Sequence, residues 1–345
     1  MTENRIRHID VAKGLLIICV VLGHIAGICK EYGGINNDYL NHTGWLLAMF
    51  YIPFYMQAFF LITGYTSNFK KPFALFLKQN AQRILLPYVC FGILYAAFNK
   101  FFFGHDFFYT TMDGETLFFL VEYYWFLSSL FIARMLFWFL DRINNKGLMI
   151  LLCLVLLFVG IGISSYYKSN IGTSHFHNFF HYRNALMMLF FMGIGAVLKH
   201  YPPQVVNLLV VAGSIIYFAI FVCFQILDIH IPSDGHGTSL QFEEVPMHLI
   251  CATAGSFFIM LFSKGVFGRV SAVLQTFGRH SLTVYTVHYL ILETIAASVG
   301  YIYQPVGKLA GAATYVFVAC IALICNYYAV LLFKKKPFCY MLGKI

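Results

Sequence analysis

Apolar residues run along this chain in long blocks separated by short polar stretches. The blocks lie near 10–29, 44–66, 84–103, 116–140, 147–165, 183–199, 204–227, 247–263, 280–299 and 309–333. A helix needs about 20 mainly apolar residues to cross a bilayer, and these blocks approach or meet that length. The pattern predicts an all-α, polytopic integral membrane protein of about ten transmembrane helices. The longest stretches outside the blocks, around 165–182 and 228–246, are too short for a second domain, so residues 1–345 read as a single transmembrane domain. There is no internal repeat and no low-complexity tract. The first block is too long for a signal peptide, contains His24 and lacks a small-residue cleavage site, so it reads as a retained span.

Composition agrees. Hydrophobic residues make up 60% of the chain and charged residues 11%, against about 25% charged in soluble domains. The formal charge of +9 does not require a nucleic-acid partner, because its distribution is that of a topology signal. Alternate loops carry most of the cations: Arg5, Arg7 and Lys13; Lys70, Lys71, Lys78 and Arg83; Arg142 and Lys146; Lys199; Lys264, Arg269 and Arg279; and Lys334 to Lys336, against only Lys30, Lys100, Lys168, Arg183 and Lys308 in the others. The intervening loops carry most of the acids, among them Glu31, Asp38, Asp106, Asp113, Asp228 and Glu243. The positive-inside rule then puts both termini in the cytoplasm, with an even number of crossings of the cell's inner (plasma) membrane. Anionic lipid at the inner surface would favour the same loops. The nine cysteines are scattered without a C-x-x-C pair and read as small packing residues.

Chemistry enters with the ionisable residues inside the blocks. Lys13 and His24 in the first span are eleven positions apart, which at about 100° and 1.5 Å per residue stacks them on one face, roughly 16 Å apart. Asp10 falls near that face. An imidazole this deep is a functional candidate, since an unpaired ionisable group in hydrocarbon is costly. In the ninth span, Ser281, Tyr285 and His288 share a face and bring a second deep imidazole. Glu122, Trp125 and Ser129 follow i, i+3, i+7 spacing at the outer end of the fourth span, and Arg183 stands at the outer mouth of the sixth, placed to orient an anionic or sugar substrate. Lys78 and Arg83 precede the third span and suit an anionic phosphate. His175, His177 and His181 have a spacing open to metal binding but lack the H-E-x-x-H glutamate and read as solvated loop residues, as do His230, Asp234 and His236, so no metal is expected. The dinucleotide-binding, Walker and G-x-S-x-G signatures are missing, so any acyl transfer must use a membrane-embedded base.

Ile9-Asp10-Val11-Ala12-Lys13-Gly14 and Val20-Val21-Leu22-Gly23-His24 resemble the first span of the membrane-bound acyltransferase 3 family, with its Arg/Lys-x10-His motif. The resemblance continues at Phe59 to Tyr65, Arg83 to Tyr88, Tyr124 to Leu127, Phe190 to Gly193 and Phe277 to His288, in the family's order, and is strongest to its fucose 4-O-acetylase-like branch. Two motifs depart from that branch. Phe54-Tyr55-Met56-Gln57 stands where Phe-His-Met-Pro is common, and Asn80-Ala81-Gln82-Arg83 keeps one cation of an Arg-x-x-Arg pair, for which Lys78 is the available substitute. The resemblance implies O-acetylation of a cell-surface or lipid-linked carbohydrate, polyprenyl-linked or polymerised, from cytoplasmic acetyl-CoA.

In the mechanism expected on that basis, Lys13, Lys78 and Arg83 hold the coenzyme A phosphates, and neutral His24 takes the proton from a sugar hydroxyl. His288 or Tyr285 stabilises the oxyanion, and Glu122, Trp125 and Arg183 meet the acceptor. An acetyl-His24 intermediate is the other route. A tunnel with buried histidines and cations would equally serve a non-catalytic carrier of a glycan or other polar solute, although such carriers often show inverted repeats. Lipid-facing and partner-facing apolar surfaces read alike, so a homo-oligomer is compatible with this sequence.

Overall fold

The computed structural model describes residues 6–104, 124–170, 180–227 and 242–343, and the regular elements among them are all helical. In chain order they are α1 (Arg7–Glu31), α2 (Asp38–Tyr51), α3 (Tyr55–Thr66), α4 (Phe73–Asn80), α5 (Leu86–Phe103), α6 (Trp125–Leu140) and α7 (Lys146–Asn170). They continue with α8 (Tyr182–Leu198), α9 (Pro203–Ile226), α10 (Val245–Lys264), α11 (Gly268–Arg279), α12 (Ser281–Ile302), α13 (Lys308–Leu332) and the short α14 (Phe338–Met341). Among the described residues eight helical runs are long and apolar enough to cross a membrane. Two shorter apolar helices, α6 and α8, stand where the fourth and sixth spans were expected.

Local sequence explains the interruptions. The run 38–66 breaks between α2 and α3 at Pro53, which has no backbone N–H to continue the ladder. The run 73–103 widens to a π-helical turn over Ala81–Leu85, closed by the Leu86 N–H on the Ala81 carbonyl, just ahead of Pro87. A register shift there accommodates the donor that Pro87 lacks.

The chain divides into two compact units, each assembled from separated segments. The first comprises Met1–Tyr55, Val210–Ile231 and Ala254–Phe338, the second Met56–Leu209, Pro232–Thr253 and Cys339–Ile345. In the first unit α1 is central and packs against α2, α11, α12 and α13. The stretch between the eighth and ninth apolar blocks, expected as a loop, is the amphipathic helix α11. Its buried residues Ser271, Leu274, Phe277 and Gly278 recur every three to four positions, the period that lays one face onto a neighbour. It crosses α1 at two glycines: a Cβ on Gly14 would strike the Leu274 carbonyl, and one on Gly278 would strike the Asp10 carbonyl and Gly14 nitrogen. The backbones therefore touch directly, the packing that small residues allow in membranes.

At the other end of α1, Asn37 starts α2. Its side-chain oxygen accepts from the N–H groups of Tyr39 and Leu40, both at 3.0 Å, and its amide donates to the Pro305 carbonyl at 2.9 Å. Asn37→Ala removes the cap and strands a buried carbonyl. It should cost about 1–2 kcal/mol, read as a lower melting temperature of the purified protein.

In the second unit α7 and α6 both pack on α8. α3 meets α8 at a second backbone crossing, Gly64 against the Met192 carbonyl and Gly195 against the Leu61 carbonyl.

Candidate active site

The site is built in the first unit from α1 and α12, two adjacent helices. Each contributes an imidazole at mid-helix, and the packing brings them together. The His24 and His288 ring centroids are 5.3 Å apart. Tyr289 completes a triangle, its ring 4.7 Å from His24 and 4.5 Å from His288. Its hydroxyl lies 3.1 Å from Nδ1 and 3.3 Å from Nε2 of His24. His24 is half-buried beside the exposed Gly23 and Gly27, whereas His288 is fully buried.

The hydrogen bonds of His288 define what its ring can do. Nδ1 is 2.7 Å from the Tyr285 carbonyl oxygen, which can only accept, so Nδ1 carries the proton. In the neutral ring Nε2 is then a lone-pair acceptor, and this buried atom bonds to no described residue. Neutral His288 has no second N–H to give, so the oxyanion donation expected of it calls for the protonated ring. Tyr285 sits one turn below, its ring 5.7 Å from His288. One turn beyond Tyr289, Glu293 is fully buried in α12.

Below His24, the start of α1 carries the other polar residues of the stripe. Asp10 is nearly buried, and its carboxylate accepts from the Arg279 Nε at 3.0 Å. Arg279 also donates to the Gln275 side chain at 2.9 Å. The acid that shares the face of Lys13 is thus committed to the end of α11. Lys13 itself is half-buried.

The other expected site residues belong to the second unit. Lys78 is exposed on α4, and Arg83 is exposed in the π-helical turn. Trp125 is buried as the first residue of α6. One turn on, the Ser128 hydroxyl is 3.1 Å from His181 Nδ1, and Ser129 donates to the His181 carbonyl at 3.2 Å. These bonds tie the start of α6 to the start of α8, where Arg183 is half-buried, and they hold Phe180 and His181 with φ of 51° and 50°. Two consecutive left-handed non-glycine residues persist only where their surroundings over-determine them. Glu122, His175, His177, His230, Asp234 and His236 lie outside the described residues. Among the described residues no group of three or more His, Cys, Asp or Glu is arranged to hold a metal ion.

Sequence reasoning passed over Tyr289, Glu293 and His248. The signal for Glu293 was plain, a carboxylate inside an apolar span and four positions from Tyr289. His248 is a third intramembrane imidazole, buried in α10, with Nε2 3.3 Å from the amide nitrogen of the fully buried Gln57.

A family model described as an acyltransferase domain, acyltransferase 3, matches residues 6–331. No curated protein matches this chain, and no solved structure matches it.

Proposed function

The chain belongs to the acyltransferase 3 family, and from that premise we propose that it is a membrane O-acetyltransferase. In this reading it moves an acetyl group from cytoplasmic acetyl-CoA to a hydroxyl of a cell-surface or lipid-linked carbohydrate, as in the fucose 4-O-acetylase-like branch. The observation that carries the reading is the meeting of His24, His288 and Tyr289 inside apolar helices.

His24 is the general base. Neutral, it takes the proton of the acceptor hydroxyl as that oxygen attacks the thioester carbonyl. The tetrahedral intermediate collapses, the C–S bond breaks, and the coenzyme A thiolate recovers the proton from His24. Tyr289 is the donor within reach, orienting the imidazole in the resting state and able to turn to the oxyanion. His288, with Nδ1–H fixed on Tyr285, offers an acceptor that keeps a phenol or hydroxyl oriented in the cluster. Lys13 and the Asp10–Arg279 pair form the charged entrance. Trp125 and Arg183, with Glu122, are assigned to the acceptor.

The charge alternation of the loops supports cytoplasmic termini and ten crossings of the inner membrane, with α6 and α8 counted as spans. At about 1.5 Å per residue these two helices reach roughly 24–26 Å, a shortfall that local bilayer thinning accommodates.

Tyr289→Phe removes the hydroxyl next to His24 and should lower kcat about tenfold at little cost in stability, the scale of one hydrogen bond. The reading itself is tested with membranes carrying the protein, acetyl-labelled acetyl-CoA and the glycolipid fraction of the source cells. Label in a glycolipid, released by mild alkali as an O-ester would be, supports it. Folded protein that neither binds coenzyme A nor transfers label would favour a carrier instead.

A further inference from the structure

The second unit contains a cleft of about 710 Å³ lined by Ser67, Lys70, Arg142, Lys146, Lys199 and His200, with Asp141 its acid. This is the size of a small-molecule pocket, typically about 300–1,000 Å³. Lys146 pairs with Asp141 at 3.6 Å, and backbone carbonyls hold Lys199 and Arg142. The Lys199 ammonium donates to the Ser67 carbonyl at 2.9 Å. Arg142 packs over the Trp138 ring and donates to the Trp138 and Phe69 carbonyls. Trp138 donates to the Lys71 carbonyl at 2.9 Å, so the turn 67–71 is pinned from three sides.

Beneath it lies a fifth cation. Arg134, inside α6, donates to the Ser67 hydroxyl at 2.6 Å and to the Asn80 amide oxygen at 2.5 Å, with the Phe69 and Phe76 rings packed against it. Ser67 is therefore bracketed by Arg134 on its hydroxyl and Lys199 on its carbonyl. No carboxylate of a described residue pairs with Arg134. Topology signalling asks only for cations in a loop; it does not explain one sunk into a helix with no described carboxylate beside it, where charge is costly.

We infer that this cleft is a binding site for the phosphates of a nucleotide-sized anion. It rests on the proposed acetyl-CoA chemistry for its occupant, the phosphorylated adenosine end of coenzyme A. This assignment moves the phosphate contacts from Lys78 and Arg83, which lie outside this cleft, to Lys70, Arg142, Lys146 and Lys199, which line it over the field of Arg134. Lysine and arginine gathered in a concave site bind phosphate through charge-assisted hydrogen bonds, and the polar lining of Asn68 and Asn144 suits a nucleoside.

The test uses the full chain in nanodiscs of zwitterionic lipid, with labelled adenosine 3′,5′-bisphosphate as the probe. It should bind saturably and be displaced by coenzyme A but not by pantetheine. The double variant Arg142→Gln, Lys199→Gln should weaken it by about tenfold or more, the scale of lost hydrogen bonds to a charged group. If that variant folds poorly, the exposed Lys70→Glu carries the same expectation. Absence of bisphosphate binding, unchanged affinity in the variants, or selective retention of phosphatidylglycerol in place of nucleotide would each overturn the assignment. Bisphosphate binding with no acetyl transfer even when acetyl-CoA and the source glycolipid fraction are supplied would keep the site and remove the acetyltransferase reading. Transfer with an unchanged KM for acetyl-CoA in the double variant would do the reverse.

Discussion

Replacing His24 with alanine is expected to reduce acetyl transfer by about 10²- to 10⁴-fold, the contribution typical of a positioned general base. The loss should fall on kcat, since the side chain acts on the proton transferred in the transition state and not on donor binding. The fold should survive. His24 is half-buried, next to exposed glycines, and its partner Tyr289 can turn its hydroxyl elsewhere. Label transfer from acetyl-CoA, compared at equal amounts of folded protein, is the measurement. Tyr289→Phe gives the internal scale: its smaller effect separates the base from the group that orients it. If His24→Ala retained wild-type turnover, the base would have to lie elsewhere and the central proposal would fall.

The second large effect concerns stability. Gly278→Val should destabilise the protein by about 3 kcal/mol or more, the upper range for overpacking. The added carbon would strike the Asp10 carbonyl and the Gly14 nitrogen, which are backbone atoms of a helix and cannot step aside as a flexible side chain can. α11 must then lift from α1, and the adjacent Arg279 loses its register with Asp10. Gly278→Ala should fall between wild type and Gly278→Val. Gly27→Ala, on the same α1 but with nothing within 4 Å of its Cβ position, should be neutral or slightly stabilising through helix propensity. Thermal unfolding of the purified protein reads all three. Equal melting temperatures for Gly278→Val and Gly27→Ala would mean that the α1–α11 contact contributes little.

Much of the architecture is local and was readable in advance. Long apolar runs must be helical because hydrocarbon offers the backbone no other hydrogen-bond partners, and eight such runs among the described residues are helices of spanning length. Lys13 and His24 were placed on one face by the helical repeat alone. The same repeat put Tyr285 and His288 one turn apart, as they are in α12. The amphipathic α11 is legible from apolar residues at helical spacing in 268–279, but at 12 residues it is too short to register as a membrane span.

Other features were never local. Periodicity assigns residues to faces of one helix but says nothing about how two helices are rotated against each other. That rotation, set by packing, put the Tyr289 hydroxyl beside His24. The tautomer of His288 turned on which acceptor its Nδ1 meets, a matter of side-chain geometry. Arg134, within the fourth apolar block, meets its partners only once the fold places Ser67, Asn80 and two phenylalanine rings around it. The sequence by itself determined the membrane class, the helices and the intramembrane imidazoles, because each depends on nearest neighbours and on solvation. The tertiary structure decided which phenol, carboxylate and cation each of them meets, because those pairings join residues up to 269 positions apart and exist only once the helices have packed.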